Sequence, residues 1–201
     1  GVHALLIHND IKNRRDIILI GASTGGPKAI EKVITELTMD LNVSVLVVQH
    51  MPSGFTKTFA ERLNKKCSLN VLEAEDGMKI EKNKIYIAPG GFHMVVQQSG
   101  ILKLNTDDPI WGVRPAVDKL FISASTIYGS RVISVVLTGM GKDGAEGTVV
   151  VKMNKGMTIS QDEESSVIYG MPKVSYETGC VDYVLSLNNI AAKIRSLVNA
   201  T

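Results

Sequence analysis

Three residues suited to acyl-transfer chemistry each stand just past an apolar run. Ser23 follows Ile17-Ile18-Leu19-Ile20 in the loop Gly21-Ala22-Ser23-Thr24-Gly25-Gly26-Pro27. His50 follows Val43 to Val48 in Gln49-His50-Met51-Pro52, and Asp143 follows Val132 to Leu137 in Thr138-Gly139-Met140-Gly141-Lys142-Asp143-Gly144. A hydroxyl, an imidazole to take its proton and a carboxylate to orient the imidazole make a nucleophilic triad. Short β-branched runs that end in glycine and lead into helical patterns read as buried parallel strands. In such sheets the ligand crevice lies beyond the carboxyl ends of the strands, so Ser23, His50 and Asp143 are expected to share one site.

Each residue also has a plainer reading. Gly21-Ala22-Ser23-Thr24-Gly25 fits G-x-S-x-G, which exposes a serine on a sharp strand-to-helix turn. Ser23 or Thr24 as a helix cap, or a glycine-rich anion loop, are the competing readings. A dinucleotide site wants an acid about 20 residues past the glycines to hold the ribose, and Gln49-His50 stands there instead. His93, after Ala88-Pro89-Gly90-Gly91-Phe92, is the rival base, while His3 and His8 fall in the amino-terminal segment. Asp143-Gly144-Ala145-Glu146 resembles a capping box, with Asp143 as N-cap. A cap tolerates asparagine, whereas an orienting carboxylate does not. The glycines flanking Met140 leave backbone N–H groups open to act as an oxyanion hole.

Positioning these loops requires alternating strands and helices. Strands are predicted at 17–22, 43–49, 84–88, 131–137, 157–160 and 181–186, and helices at 27–38, 54–66, 115–128, 143–155 and 187–199. Pro27 suits the first turn of its helix, where its missing N–H would have no partner. His93 to Gln98 and Ile101 to Leu104 flank Ser99-Gly100, which reads as a two-residue antiparallel hairpin. The expected fold is α/β, a doubly wound and mostly parallel sheet with helices on both faces and one antiparallel hairpin near 93–104.

With 201 residues, 44% apolar and 21% charged, the chain can bury a sizeable core as one domain, expected to span 16–201. Residues 1–15 read as a linker remnant, too short and of the wrong composition for a signal sequence. A net charge of +2 without a basic block gives no sign of a nucleic-acid partner. No apolar stretch approaches the roughly 20 residues that insertion into a bilayer needs. Cys67 and Cys180, with no CxxC spacing, fit a reducing compartment and a cytoplasmic location.

Five motifs in order, Gly-Ala-Ser-Thr-Gly-Gly-Pro, Gln-His-Met-Pro, Ala-Pro-Gly-Gly-Phe-His-Met, Arg-Pro-Ala-Val-Asp and Leu-Thr-Gly-Met-Gly-Lys-Asp-Gly-Ala, resemble the catalytic domain of the bacterial chemotaxis receptor methylesterases. The resemblance runs from about Asp16 to the carboxyl terminus. It implies hydrolysis of glutamate methyl esters on the cytoplasmic helices of methyl-accepting chemotaxis receptors, with deamidation of receptor glutamines in many members. It maps the nucleophile to Ser23, the base to His50, the acid to Asp143 and an oxyanion donor to the Met140 backbone, and it implies no metal or cofactor. Thr24 and Arg114 are substrate-positioning candidates, with capping and an ordinary salt bridge as the plainer roles. The family usually carries an N-terminal receiver domain, which this sequence does not supply. Lys142, just before the aspartate, is a charge whose effect on His50 or on an acidic receptor the sequence leaves open. A small-molecule serine esterase and a non-catalytic nucleotide-binding module remain the other readings; the α/β-hydrolase order is serine, acid, histidine, which differs from the order here.

Overall fold

The computed structural model describes residues 14–200, so His3, His8 and most of the segment read as a linker lie outside the described residues. Strands β1 (Ile17–Ala22), β2 (Ser44–Gln49), β3 (Asn70–Glu73), β4 (Lys84–Ile87), β7 (Val132–Val136), β8 (Met157–Gln161) and β9 (Tyr183–Leu185) form one parallel sheet. Its spatial order is β3-β4-β2-β1-β7-β8-β9. β5 (His93–Gln97) and β6 (Ile101–Asn105) pair antiparallel in a separate two-stranded sheet.

The helices cover both faces, as the alternating pattern predicts. Ile18, Ile20, Val45 and Val47 of the central strands pack with α1 (Gly26–Ile34), α2 (Phe55–Asn64) and α6 (Leu187–Asn199). Ile17, Leu19, Leu46 and Val48 face the other way, toward the β5–β6 hairpin, α3 (Val117–Tyr128), α4 (Ala145–Met153) and α5 (Met171–Glu177). Both sides of β1 and β2 are buried, which is why these strands read as continuous apolar runs with no alternation. In α1, Ala29, Ile30, Val33 and Ile34 make the inward stripe, and each full-sized aliphatic so buried contributes about 1.5–3 kcal/mol.

Several local expectations are corrected. The hairpin turn is the three-residue connection 98–100, because Gln97 pairs with Ile101 and both Ser99 and Gly100 have positive φ. β3 and α5 went unpredicted: β3 is a four-residue edge strand and α5 has only seven residues, too few to show a period. Helices α1, α2 and α4 are each shorter than their apolar pattern. α4 begins at Ala145 with Gly144, not Asp143, at its N-cap, and no side chain caps it from that position.

From β1 the chain runs to β2, passes to the edge strand β3, comes back inward to β4 and, after the hairpin and α3, crosses to β7 on the other side of β1. The switch point therefore lies beyond the carboxyl ends of β1 and its neighbours, where a crevice forms.

Candidate active site

Parallel register sets two of the three residues side by side. Ala22 is opposite Gln49, and the His50 N–H donates to the Ala22 carbonyl at 3.1 Å, so Ser23 and His50 leave the sheet together. On the other flank the Leu137 N–H donates to the Gly21 carbonyl at 2.8 Å and the Ser23 N–H to the Thr138 carbonyl at 3.0 Å. This stitches the loop after β7 against the serine. Contact there is close: a Cβ on Gly139 would sit 2.8 Å from the Ser23 Cβ and 2.4 Å from the Met171 Sδ, so only glycine fits.

Neither Ser23 nor Thr24 is a helix cap. Gly25, at φ 82°, holds the N-cap position of α1, and no side chain bonds to that helix end. The Ser23 hydroxyl makes no hydrogen bond among the described residues and lines a cleft of about 360 Å³ with Thr24, His50, Trp111, Val113, Met140, Gly141, Lys142 and Asp143.

His50 Nε2 lies 2.7 Å from Asp143 Oδ2, with the ring 12% exposed and the carboxylate 2% exposed. Asp143 also accepts the N–H groups of Val117 at 2.7 Å and Asp118 at 2.9 Å. A carboxylate surrounded by donors is an acceptor only, so the ring nitrogen facing it carries the hydrogen. That leaves Nδ1 with its lone pair free. The capping expectation thus held in kind but not in place, because Asp143 caps α3 rather than the helix that follows it.

The end of α4 is served in return by Asp118, which accepts the N–H groups of Gly144 at 3.0 Å and Gly147 at 2.8 Å. Each aspartate stands in the first turn of one helix or just before it and caps the other. Trp111 Nε1 donates to the second Asp118 oxygen at 3.1 Å. Burial, then the charge of Asp143, pushes the Asp118 carboxyl up to about 6. Asp118 ends the motif Arg-Pro-Ala-Val-Asp, which by itself assigns it no role. An acid in the first turn of a predicted helix was the available signal, and it names no partner.

His93 is not a comparable base. It is fully buried, its Nδ1 accepts the Ala116 N–H at 3.2 Å, and its Nε2 bonds to the Asp108 carbonyl at 2.9 Å. Both nitrogens are consumed in holding the start of α3. Arg114 does not line the serine cleft: its guanidinium donates to the carbonyls of Thr106 and Asp107, beside an adjoining pocket of about 240 Å³ that it shares with His50. It forms no salt bridge among the described residues. Met140 projects into the cleft mouth, 66% exposed, and its N–H makes no hydrogen bond among the described residues. Thr24 is exposed, and its carbonyl accepts from Thr138 Oγ1. The Lys142 ammonium sits 3.9 Å from the centre of the Trp111 ring. Of the cysteines, Cys67 is pushed up to about 11 by burial and then by Glu31, unsuited to a thiolate nucleophile.

The family model for CheB methylesterase matches residues 18–194. The chain belongs to the CheB methylesterase family. It is 57% identical over 183 residues to the protein-glutamate methylesterase/protein-glutamine glutaminase of Clostridium acetobutylicum, spanning 91% of this chain and 53% of that protein. It is 51% identical over 186 residues to the protein of the same description from Sulfurimonas denitrificans, again 91% and 53%. The crystal structure of the Thermotoga maritima CheB methylesterase catalytic domain matches at a TM-score of 0.87 and 45% identity, covering 90% of this chain and 98% of that one. The doubly wound sheet with its separate hairpin is therefore the CheB catalytic-domain fold. The chain spans about half the length of the curated relatives it matches.

Proposed function

We propose that this chain hydrolyses glutamate γ-methyl esters on methyl-accepting chemotaxis receptors, and deamidates receptor glutamines, through Ser23, His50 and Asp143. The observation that carries the reading is the 2.7 Å contact of His50 Nε2 with a buried Asp143, in the same cleft as an unbonded Ser23 hydroxyl. With Nε2 turned to the acid, Nδ1 is the base. That is the reverse of the ring usage in the serine proteases, where Nδ1–H meets the aspartate.

Ser23 Oγ attacks the ester carbonyl as its proton passes to His50 Nδ1, and Asp143 steadies the imidazolium that forms. The Met140 N–H, on a loop held against Ser23, is the candidate donor to the oxyanion. Collapse of the tetrahedral species expels methoxide, which takes the proton from Nδ1 and leaves as methanol. Water then attacks the acyl-serine, with His50 again accepting a proton, and glutamate is released. A glutamine side chain would follow the same steps with ammonia as the leaving group.

Gln49 speaks against the nucleotide-binding alternative. Its amide bonds to the carbonyls of Ser23 and His50 and packs against Gly26, filling the position where a ribose-binding acid would be needed. Thr24, exposed at the cleft, is a candidate for contact with the receptor. Among the described residues no helix is long and apolar enough to cross a membrane. The additional length of the relatives leaves room for the receiver domain that usually accompanies this domain. Incubating the chain with receptor carrying radiolabelled methyl esters and counting volatile methanol tests the reading. Release above the no-enzyme rate, together with phosphonate labelling at Ser23, is expected; neither result would leave it standing if absent.

A further inference from the structure

Asp118 is a buried acid that the proposed chemistry does not use. It is 2% exposed, and its two oxygens take three donors: the N–H groups of Gly144 and Gly147 on one, the Trp111 indole on the other. Gly144 directly follows Asp143. Trp111 lines the cleft with Ser23 and His50. One side chain thus fixes both the turn that presents the acid to His50 and a wall of the space where substrate would sit.

We propose that Asp118, in its anionic form, is a positioning residue for the esterase reaction, holding the Asp143 turn and Trp111 in their working places. The proposal rests on the esterase reading above. It follows from the exchange of caps. Asp143 accepts the backbone N–H of Asp118, while Asp118 accepts that of Gly144, so neither helix start moves without releasing the carboxylate that ends the other. Two acids packed this way repel, and the six N–H groups that surround them, counting the indole and His50, offset the repulsion. The charged groups around Asp118 are Asp143, Lys142 against the Trp111 ring, and Lys119 and Glu146, which line a cavity of about 320 Å³ with Asp118. His50 lies beyond Asp143.

A protonated Asp118 and an asparagine at this position are alike: each keeps a carbonyl oxygen for the two glycine N–H groups and turns a donor toward the indole. Substitution and titration should therefore give the same defect. The elevated titration of Asp118, near 6, places that defect within reach of an ordinary pH–rate profile.

The test is kcat/KM for methanol release from radiolabelled methylated receptor, from pH 5 to 9, on four proteins. The parent chain should lose activity on the acid side with a break as Asp118 takes up its proton. Asp118→Asn should be about tenfold slower at pH 8, by analogy with the low end of the 10–100-fold cost of removing the outer partners of metal ligands, and its profile should lack the Asp118-linked break. Trp111→Phe removes a donor that favours the charged form of Asp118 but keeps both caps. Its Asp118-linked break should move to higher pH. Glu61→Gln, an exposed charge on α2, should leave the profile unchanged.

Asp118→Asn that keeps the parent's rate and the parent's acid-side break, with only a lowered melting temperature, would overturn the proposal and leave the esterase reading intact. If Asp118→Asn does not fold, a Trp111→Phe break that stays in place does the same. A parent chain that releases no methanol at any pH would remove the esterase reading and the proposal together.

Discussion

Two buried aspartates stand at opposite ends of the parallel sheet, and they are surrounded by different kinds of partner. Asp16, just before β1, receives two bonds from the Arg131 guanidinium, at 2.9 and 3.1 Å, and one from the Lys82 ammonium. Asp143, beyond β7, receives two backbone N–H groups and one imidazole. Burial acts to raise the Asp16 carboxyl, but Arg131 and then Lys82 outweigh it and hold it below the usual range. Lys82 itself is lowered, first by its own burial and also by the charges of Arg131 and Arg14, against the pull of Asp16, so Arg131 is the firmer partner. Permanent cations tie the amino end of the sheet together and leave it nothing to exchange. At the carboxyl end the ionisable side chain bonded to Asp143 is a ring whose second nitrogen makes no hydrogen bond among the described residues, and that freedom is what proton transfer needs.

The comparison is broken most sharply by removing the nucleophile. Ser23→Ala should lower methanol release by roughly 10⁴ to 10⁶, the usual consequence of deleting a triad member, with receptor binding and melting temperature kept. Residual turnover above about a thousandth of the parent rate would move the nucleophile elsewhere. His50→Gln should come close to this in turnover. His93→Gln should act mainly on stability, since its ring supports Ala116 and the Asp108 carbonyl. Rates and melting curves of the two histidine variants side by side check the assignment, and the opposite order of kinetic damage would reverse it.

Asp143→Asn sharpens the comparison further. One amide oxygen cannot replace two carboxylate oxygens, so a donor must face either the Asp118 N–H or the Val117 N–H and the ring. The first arrangement orphans one buried donor, at about 1–3 kcal/mol. The second also forces the wrong tautomer on His50, and kcat should fall by roughly 10³ to 10⁴. Thermal melts and methanol release on the same protein measure both. The expectation that asparagine would serve as a neutral cap fails because the cap is two-pronged, which would not be so at the start of α4.

That failure marks where the sequence stops being readable. The strand ends carrying Ser23, His50 and Asp143 were legible because burial on both faces writes an unbroken apolar run, and glycine ends it. Which helix end lies beside Asp143 is a tertiary fact, set by the packing of α3 against α4 over Phe121 and Gly147, and no spacing near Asp143 encodes it. Lys142 shows the same limit. Its place before the acid suggested an effect on His50, yet its ammonium rests on the Trp111 ring, 31 positions earlier in the chain. Asp118 closes the Arg-Pro-Ala-Val-Asp motif, but its surroundings depend on Gly144 and Gly147 at the start of α4 and Trp111 from a separate loop.

The smallest effect on catalysis is expected at the other aspartate. Asp16→Asn leaves Arg131 and Lys82 without their shared anion, and removing one partner of a fully buried pair costs about 3–5 kcal/mol. Here both cations are about one-third exposed, so roughly 2 kcal/mol is expected after solvent screening. The pH dependence has a definite sign. A carboxyl whose folded pKa lies below its unfolded value stabilises the fold above the ordinary carboxylate pKa, about 3.9, and loses that contribution as the pH falls through the lower folded value. Denaturant melts should therefore separate the parent from Asp16→Asn at pH 7 and bring them together as the pH falls through the lowered folded value. kcat for methanol release at pH 7 should be unchanged within about twofold, because the folded site lies at the far end of the strands. A tenfold loss of kcat in a folded Asp16→Asn protein would mean that the two ends of the sheet are coupled, and the division between a cohesive end and a reactive end would not hold.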